Sequence, residues 1–100
     1  DVRGHFVGGG LTSETEEALS SWGIRDFVTI VPFLDRSDLP NLLRTFDLYA
    51  LPSKQEGLCI AALEAMACGV PIVSTRCGGP QDFVVDGENG FLVGHSAQEM

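Results

Sequence analysis

Two carboxylates and the turn between them are the residues best placed to do chemistry. Glu56 and Glu64 stand eight positions apart in S-K-Q-E-G-L-C-I-A-A-L-E-A-M-A-C-G-V-P, Ser53 to Pro71. Leu58, Ile60, Ala61, Ala62, Leu63, Ala65, Met66 and Ala67 cover almost the whole circumference of a helix with apolar or helix-forming side chains, the pattern of a buried helix. Gly69 supplies a left-handed position after the last turn, and Pro71 forbids continuation. A carboxylate on such a helix needs a partner, which makes Glu64 the most informative residue of the chain. A helix opening at Gly57 would leave the N–H groups of Gly57, Leu58 and Cys59 unpaired, a seat for a diphosphate or a sugar oxygen. Glu64, seven residues after Gly57, would return to nearly the same face about 10 Å along the axis. There a carboxylate can accept from both hydroxyls of a ribose cis-diol. Glu56, ahead of the helix, can meet hydroxyls on the far side of the phosphates. The constellation fits a sugar nucleotide laid along a helix end.

Each residue also has a plainer reading. Ser53 and Glu56 form S-x-x-E, a capping box. Glu64 can point outward at a helix edge or pair with an arginine such as Arg76. Gly8-Gly9-Gly10 is not G-x-G-x-x-G and lacks the acid about 20 residues on, so it reads as a tight strand-to-helix turn. Gly78-Gly79 is a turn before it is a ligand loop. His5 and His95 have no acid or cysteine nearby in sequence and read as structural or surface residues. Lys54 and Arg76 can reach phosphate, although a solvated charge is the default.

Composition narrows the classes. One hundred residues with 44% apolar content suffice for one small domain. A net charge of -8 argues against nucleic acid or an anionic membrane surface as the partner. No apolar run approaches the roughly 18–20 residues of a membrane span, and no charged-then-apolar leader opens the chain. Cys59, Cys68 and Cys77 are odd in number and nine apart. That spacing predicts reduced thiols of a cytosolic protein and argues against a metal site.

The elements that must position the two glutamates follow from pattern. Gly4 to Gly8, Phe27 to Phe33, Asp47 to Pro52, Pro71 to Thr75 and Phe91 to Val93 read as strands. Ser13 to Glu16 reads as a capping box opening a helix with Ala18, Leu19 and Trp22, closed by Gly23. Leu39, Leu42, Leu43 and Phe46 have helical spacing in Asp38 to Phe46, with Ser37 or Asp38 as cap. Gln81 to Val85 makes at most one helical turn, and Asp86 to Gly90 is a turn. Strand and helix alternate, and the strands look buried on both faces. The fold class is therefore α/β, a Rossmann-like parallel sheet with crossover helices. Ligands of such sheets bind beyond the carboxyl ends of the strands, where Gly8–Gly10, Phe33–Asp35, Ser53–Glu56 and Thr75–Pro80 lie.

E-G-L-C-I-A-A-L-E-A-M-A-C-G-V-P-I-V-S-T resembles the E-x7-E signature of retaining glycosyltransferases with the GT-B fold, most closely family 4 (glycosyl transferases group 1). D-L-Y-A-L-P-S before it and C-G-G-P-Q-D-F-V-V-D-G-E-N-G-F-L-V after it are similar to the same family's C-terminal domain. Cys59 stands where the family often has glycine, Leu34 where glycine often follows the phenylalanine, and Asp82 where glutamate is common. The resemblance implies that residues 1–100 are part of a nucleotide-sugar donor domain. The N-terminal acceptor domain, a basic opening segment and a closing helix lie outside them. It implies that Glu64 binds the ribose, that Glu56 orients the donor sugar as the catalytic contact, and that Gly57, Leu58 and Cys59 hold donor oxygens through their N–H groups. It further implies no metal and no cofactor. The parent is then a cytoplasmic transferase, free or peripheral at a membrane, acting on a glycan, lipid or small-molecule acceptor. The 100 residues alone would be inactive, and a truncated sheet edge would invite self-association. Two rivals are a sugar-nucleotide epimerase of the same architecture and a non-catalytic nucleotide-binding module.

Overall fold

The computed structural model describes residues 1–9 and 12–100, which divide into two units, Asp1–Asp38 and Leu39–Met100. Gly10 of the predicted glycine turn lies outside the described residues.

In the first unit, β1 (Gly4–Val7) pairs in parallel with β2 (Val28–Val31), Gly4 opposite Val28 and Val7 opposite Val31. A parallel pair needs a crossover, and α1 (Ser13–Ser21) supplies it, burying Leu19 to 2% exposure. The helix closes as predicted in a Schellman arrangement: Gly23 N–H donates to the Ser20 carbonyl and Ile24 N–H to the Leu19 carbonyl, both at 3.0 Å. Its start differs from the expected capping box. Thr12 is the N-cap, and Ser13 is already helical. The Glu16 carboxylate turns instead to Arg25, which donates through Nε at 2.5 Å and through Nη2 at 3.3 Å. A forked guanidinium offers a carboxylate stronger bonds than one neutral amide can. Arg25 to Phe27 forms a single 3-10 turn, so β2 begins at Val28 and not at Phe27.

The second unit carries β3 (Tyr49–Leu51), β4 (Ile72–Thr75) and β5 (Gly90–Val93), all parallel and in that order. A short helix α2 (Leu39–Leu43) precedes β3, and α3 (Ile60–Ala67) crosses from β3 to β4. Parallel strands joined by crossover helices are the architecture expected from the alternating pattern. β4 is the central strand, and its Ile72 is fully buried among Leu43, Leu51, Ala62, Ala65, Val70, Cys77 and Val84. The end of α3 repeats the Schellman arrangement. Gly69 adopts φ +80°, its N–H donates to Met66, and Val70 N–H donates to Ala65. The one-turn helix after β4 spans Gly79–Asp82, starting two residues earlier than expected because Pro80 fixes φ in its first turn. The following turn is held by side chains. Asn89 Oδ1 accepts from Val85 N–H at 2.8 Å, and Asp86 Oδ1 accepts from Leu92 N–H at 2.8 Å.

The α3 helix is not buried all round. Ala62 and Ala65 form its buried stripe, while Ile60 is 59% exposed. Two alanines three residues apart let the helix axis approach the sheet closely, and that geometry buries one face only. No helix among the described residues is long and apolar enough to cross a membrane.

Candidate functional site

The loops at the carboxyl ends of β3 and β4 are locked together, and this lock builds the site. The β3–β4 ladder is in register at Leu51 and Ser74, and a further bridge joins Glu56 to Gly78. Four residues (52–55) separate these points on one chain segment and three (75–77) on the other, so the ladder cannot run on unbroken. Thr75 fills the gap. Its hydroxyl, 4% exposed with its residue, reaches the Ser53 carbonyl at 2.5 Å and the Leu51 carbonyl at 3.3 Å. Beyond it, Glu56 N–H donates to the Cys77 carbonyl at 2.7 Å, and Gly79 N–H donates to the Glu56 carbonyl at 3.2 Å. Gly78 and Gly79 are therefore more than a turn. A Cβ on Gly79 would lie 1.5 Å from the Gly57 carbonyl oxygen, so only glycine allows the two backbones to meet.

The Glu56 side chain is partly buried, and its Oε1 accepts from the Ser53 hydroxyl at 2.5 Å. The capping-box reading of Ser53 and Glu56 is thus corrected. The helix starts only at Ile60, so neither residue can cap it, and hydroxyl and carboxylate pair with each other. The late start also moves the geometry of Glu64. Gly57 and Leu58 lie in the loop, Cys59 is the N-cap, and Glu64 is the fifth residue of α3, about 6 Å along the axis from the first. The same-face argument from Gly57 to Glu64 therefore lapses, because Gly57 is outside the helix. Leu58, placed by sequence on a buried helix, is 61% exposed in that loop. The N–H groups of Gly57, Leu58 and Cys59 find no acceptor among the described residues, so they remain able to donate to a ligand.

Burial and nearby negative charge both act on Tyr49. Tyr49 on β3 has its phenol pushed above the ordinary value, first by burial and then by the negative charge of Cys59, Glu56 and Glu64. The Cys59 thiol is likewise raised, mainly by burial, with the Ala62 N–H opposing and Glu56 and Cys77 adding to the rise. From sequence alone Tyr49 is a strand residue and Thr75 a strand end. The signal for Tyr49 was a lone phenol in an otherwise aliphatic strand directly before S-x-x-E. Lys54 and Arg76 are exposed, and His95 Nε2 lies 3.2 Å from the Arg76 carbonyl. Among the described residues no group of three or more His, Cys, Asp or Glu side chains could hold a metal ion.

Cys59 has a backbone of its own. Among the described residues it is the one non-glycine with positive φ, at +53°, a conformation costing an L-residue about 1–2 kcal/mol. That conformation is the physical reason a glycine suits this position. Cys59→Gly is expected to match or exceed the parent in stability. Cys59→Val, β-branched and ill-suited to positive φ, is expected to fall about 2 kcal/mol below the glycine variant. Urea titrations of the pair measure the difference, and equal midpoints would refute the strain.

The chain matches the family described as Glycosyl transferases group 1 over residues 1–100. It is similar to the D-inositol 3-phosphate glycosyltransferase of Salinispora arenicola (strain CNS-205), with 43% identity over 97 residues, 94% of this chain and 22% of that protein. To the enzyme of the same description from Arthrobacter sp. (strain FB24) it is 36% identical over 94 residues, 93% of this chain and 22% of that protein. Among solved structures, Anabaena Alr3699/HepE in complex with UDP superposes with a TM-score of 0.87 at 32% identity, covering 98% of this chain and 29% of that one. The chain spans about a fifth of the length of the curated relatives it matches. Its parallel sheet with crossover helices is that of the C-terminal, Rossmann-like domain of GT-B glycosyltransferases. With the family matched along its whole length, the chain belongs to the glycosyl transferases group 1.

Proposed function

We propose that this chain is part of the donor-binding domain of a retaining, family 4 glycosyltransferase that moves a sugar from a nucleotide to a glycan, lipid or small-molecule acceptor. The observation that carries the reading is the locked loop beyond the carboxyl end of β3, which holds Glu56 by its backbone next to Gly57, Leu58 and Cys59, whose N–H groups find no acceptor among the described residues directly ahead of α3. Glu64 accepts from the ribose hydroxyls, Glu56 orients the donor sugar, and the Gly57–Cys59 amides hold donor oxygens. Amides aimed at the leaving diphosphate stabilise the negative charge that builds there without reorganising. Anchoring the ribose fixes where the anomeric carbon lies. The acceptor binds on another domain, the 100 residues alone do not turn over donor, and the reaction takes place in the cytoplasm without a metal. Support comes from the structural relatives, since Anabaena Alr3699/HepE is described in complex with UDP and with UDP-glucose.

The test is a titration of the chain with UDP, GDP and ADP followed by amide chemical shifts. One nucleotide should saturate, moving Gly57, Leu58 and Cys59. Glu64→Gln removes the charge and leaves one acceptor oxygen beside an amide donor, and should weaken binding about tenfold, the scale of one charge-assisted hydrogen bond. Binding that is indifferent to Glu64→Gln would remove the ribose assignment.

A further inference from the structure

We propose that Ser53 and Thr75 are positioning residues for Glu56, a two-hydroxyl link from the sheet to the carboxylate that faces the donor sugar. The inference rests on the donor-binding reading above and adds residues that reading does not contain. Thr75 is the last residue of β4, its backbone paired with Val93 of β5, and its hydroxyl grips the Ser53 carbonyl at 2.5 Å. Ser53 in turn donates its own hydroxyl to Glu56 Oε1 at 2.5 Å. The Glu56 backbone is pinned on both sides, by Cys77 and by Gly79, so the rotation of its side chain is the freedom left to control. A short hydroxyl-to-carboxylate bond removes that freedom and still leaves Oε2 to meet a substrate hydroxyl. The nucleotide end of the donor touches other groups, namely the Gly57–Cys59 amides and Glu64, so the link acts on the sugar and not on the base or ribose.

This predicts a split between binding and turnover. In the natural polypeptide that carries this chain, nucleotide release from UDP-glucose, GDP-mannose and ADP-glucose is measured with and without acceptor, alongside nucleotide Kd and thermal unfolding. Ser53→Ala should lower kcat about 10- to 100-fold, the scale of a misplaced reacting group, with nucleotide Kd within about twofold of the parent. Ser53→Thr restores the hydroxyl and should recover most of kcat. Thr75→Ser should behave like the parent and Thr75→Val like Ser53→Ala. Unchanged kcat in Ser53→Ala would overturn the proposal. So would parallel losses of kcat, nucleotide affinity and Tm that Ser53→Thr does not rescue, because those belong to a merely structural residue. If the parent neither binds a nucleotide nor releases one from any of the three donors, the donor-binding reading itself fails. That outcome differs from a parent that binds and turns over but ignores Ser53→Ala.

Discussion

Gly79→Ala is expected to destabilise the second unit by at least about 3 kcal/mol, the upper range of overpacking in a well-packed site, and to abolish the proposed nucleotide binding. The added Cβ would sit 1.5 Å from the Gly57 carbonyl oxygen, 2.6 Å from its carbon and 3.1 Å from the Leu58 carbonyl carbon. All three atoms are backbone, so no flexible side chain can step aside. Relief requires the two loops to part, and parting them breaks the Gly79 N–H bond to the Glu56 carbonyl and the bridge between Glu56 and Gly78. The loop that presents the Gly57–Cys59 amides then loses its anchor. The clash is one-sided. A Cβ on Gly57 meets nothing within 4 Å, so Gly57→Ala should stay within about 1 kcal/mol of the parent. Urea unfolding of both variants checks the contrast, and a Gly79→Ala protein as stable as the Gly57→Ala one would show that the loops are not locked.

Ile72→Ala should cost about 3–5 kcal/mol, and Ile72→Val about 1 kcal/mol. Ile72 is fully buried at the start of the central strand, paired with Tyr49 on one side and Gly90 on the other. Truncation to alanine removes three carbons from a position with strands on both flanks, where backbone collapse into the void is restrained by two ladders. Against a total stability of about 5–15 kcal/mol for a domain of this kind, the alanine variant keeps little in reserve. Equilibrium denaturation should show the midpoint moving with little change in slope. The site is affected only through folding, so under conditions where the variant is folded its nucleotide affinity should equal the parent's. A small effect on stability would place the core elsewhere.

What sequence revealed and what it hid divide along the range of the interactions. The strands at Tyr49–Leu51, Ile72–Thr75 and Gly90–Val93 were legible because β-branched and aromatic runs carry their signal locally. The stop at Gly69 and Pro71 was legible for the same reason, since left-handed φ and a missing N–H are properties of single residues. The capping box expected at Ser13 to Glu16 and the capping-box alternative for Ser53 and Glu56 both fail. The spacing is the same whether the serine meets a backbone N–H or the acid finds another partner, and the choice is made by residues distant in sequence. Arg25 takes Glu16. For Glu56, the loop geometry fixed by Cys77, Gly79 and Thr75 leaves the carboxylate to the serine hydroxyl. The start of α3 falls three residues later than expected because glycine is tolerated at a helix start and Leu58 and Cys59 carry no breaker, while the lock on Glu56 and Gly57 holds that segment away from the helix. Glu56 and Glu64 stand out by type and spacing, which are local properties of the chain.

The loop from Ser53 to Cys59 is held at one end by Thr75 and in its middle by Cys77 and Gly79, and it runs directly into the first turn of α3. Surface loops ordinarily absorb insertions and deletions with ease. This one has no slack to absorb them, since a single added residue would shift Glu56 out of its bridge with Gly78. Variation at this rim must then proceed by exchanging side chains at fixed chain length. The exposed Lys54, Gln55 and Leu58 are the positions where such exchange leaves the lock intact.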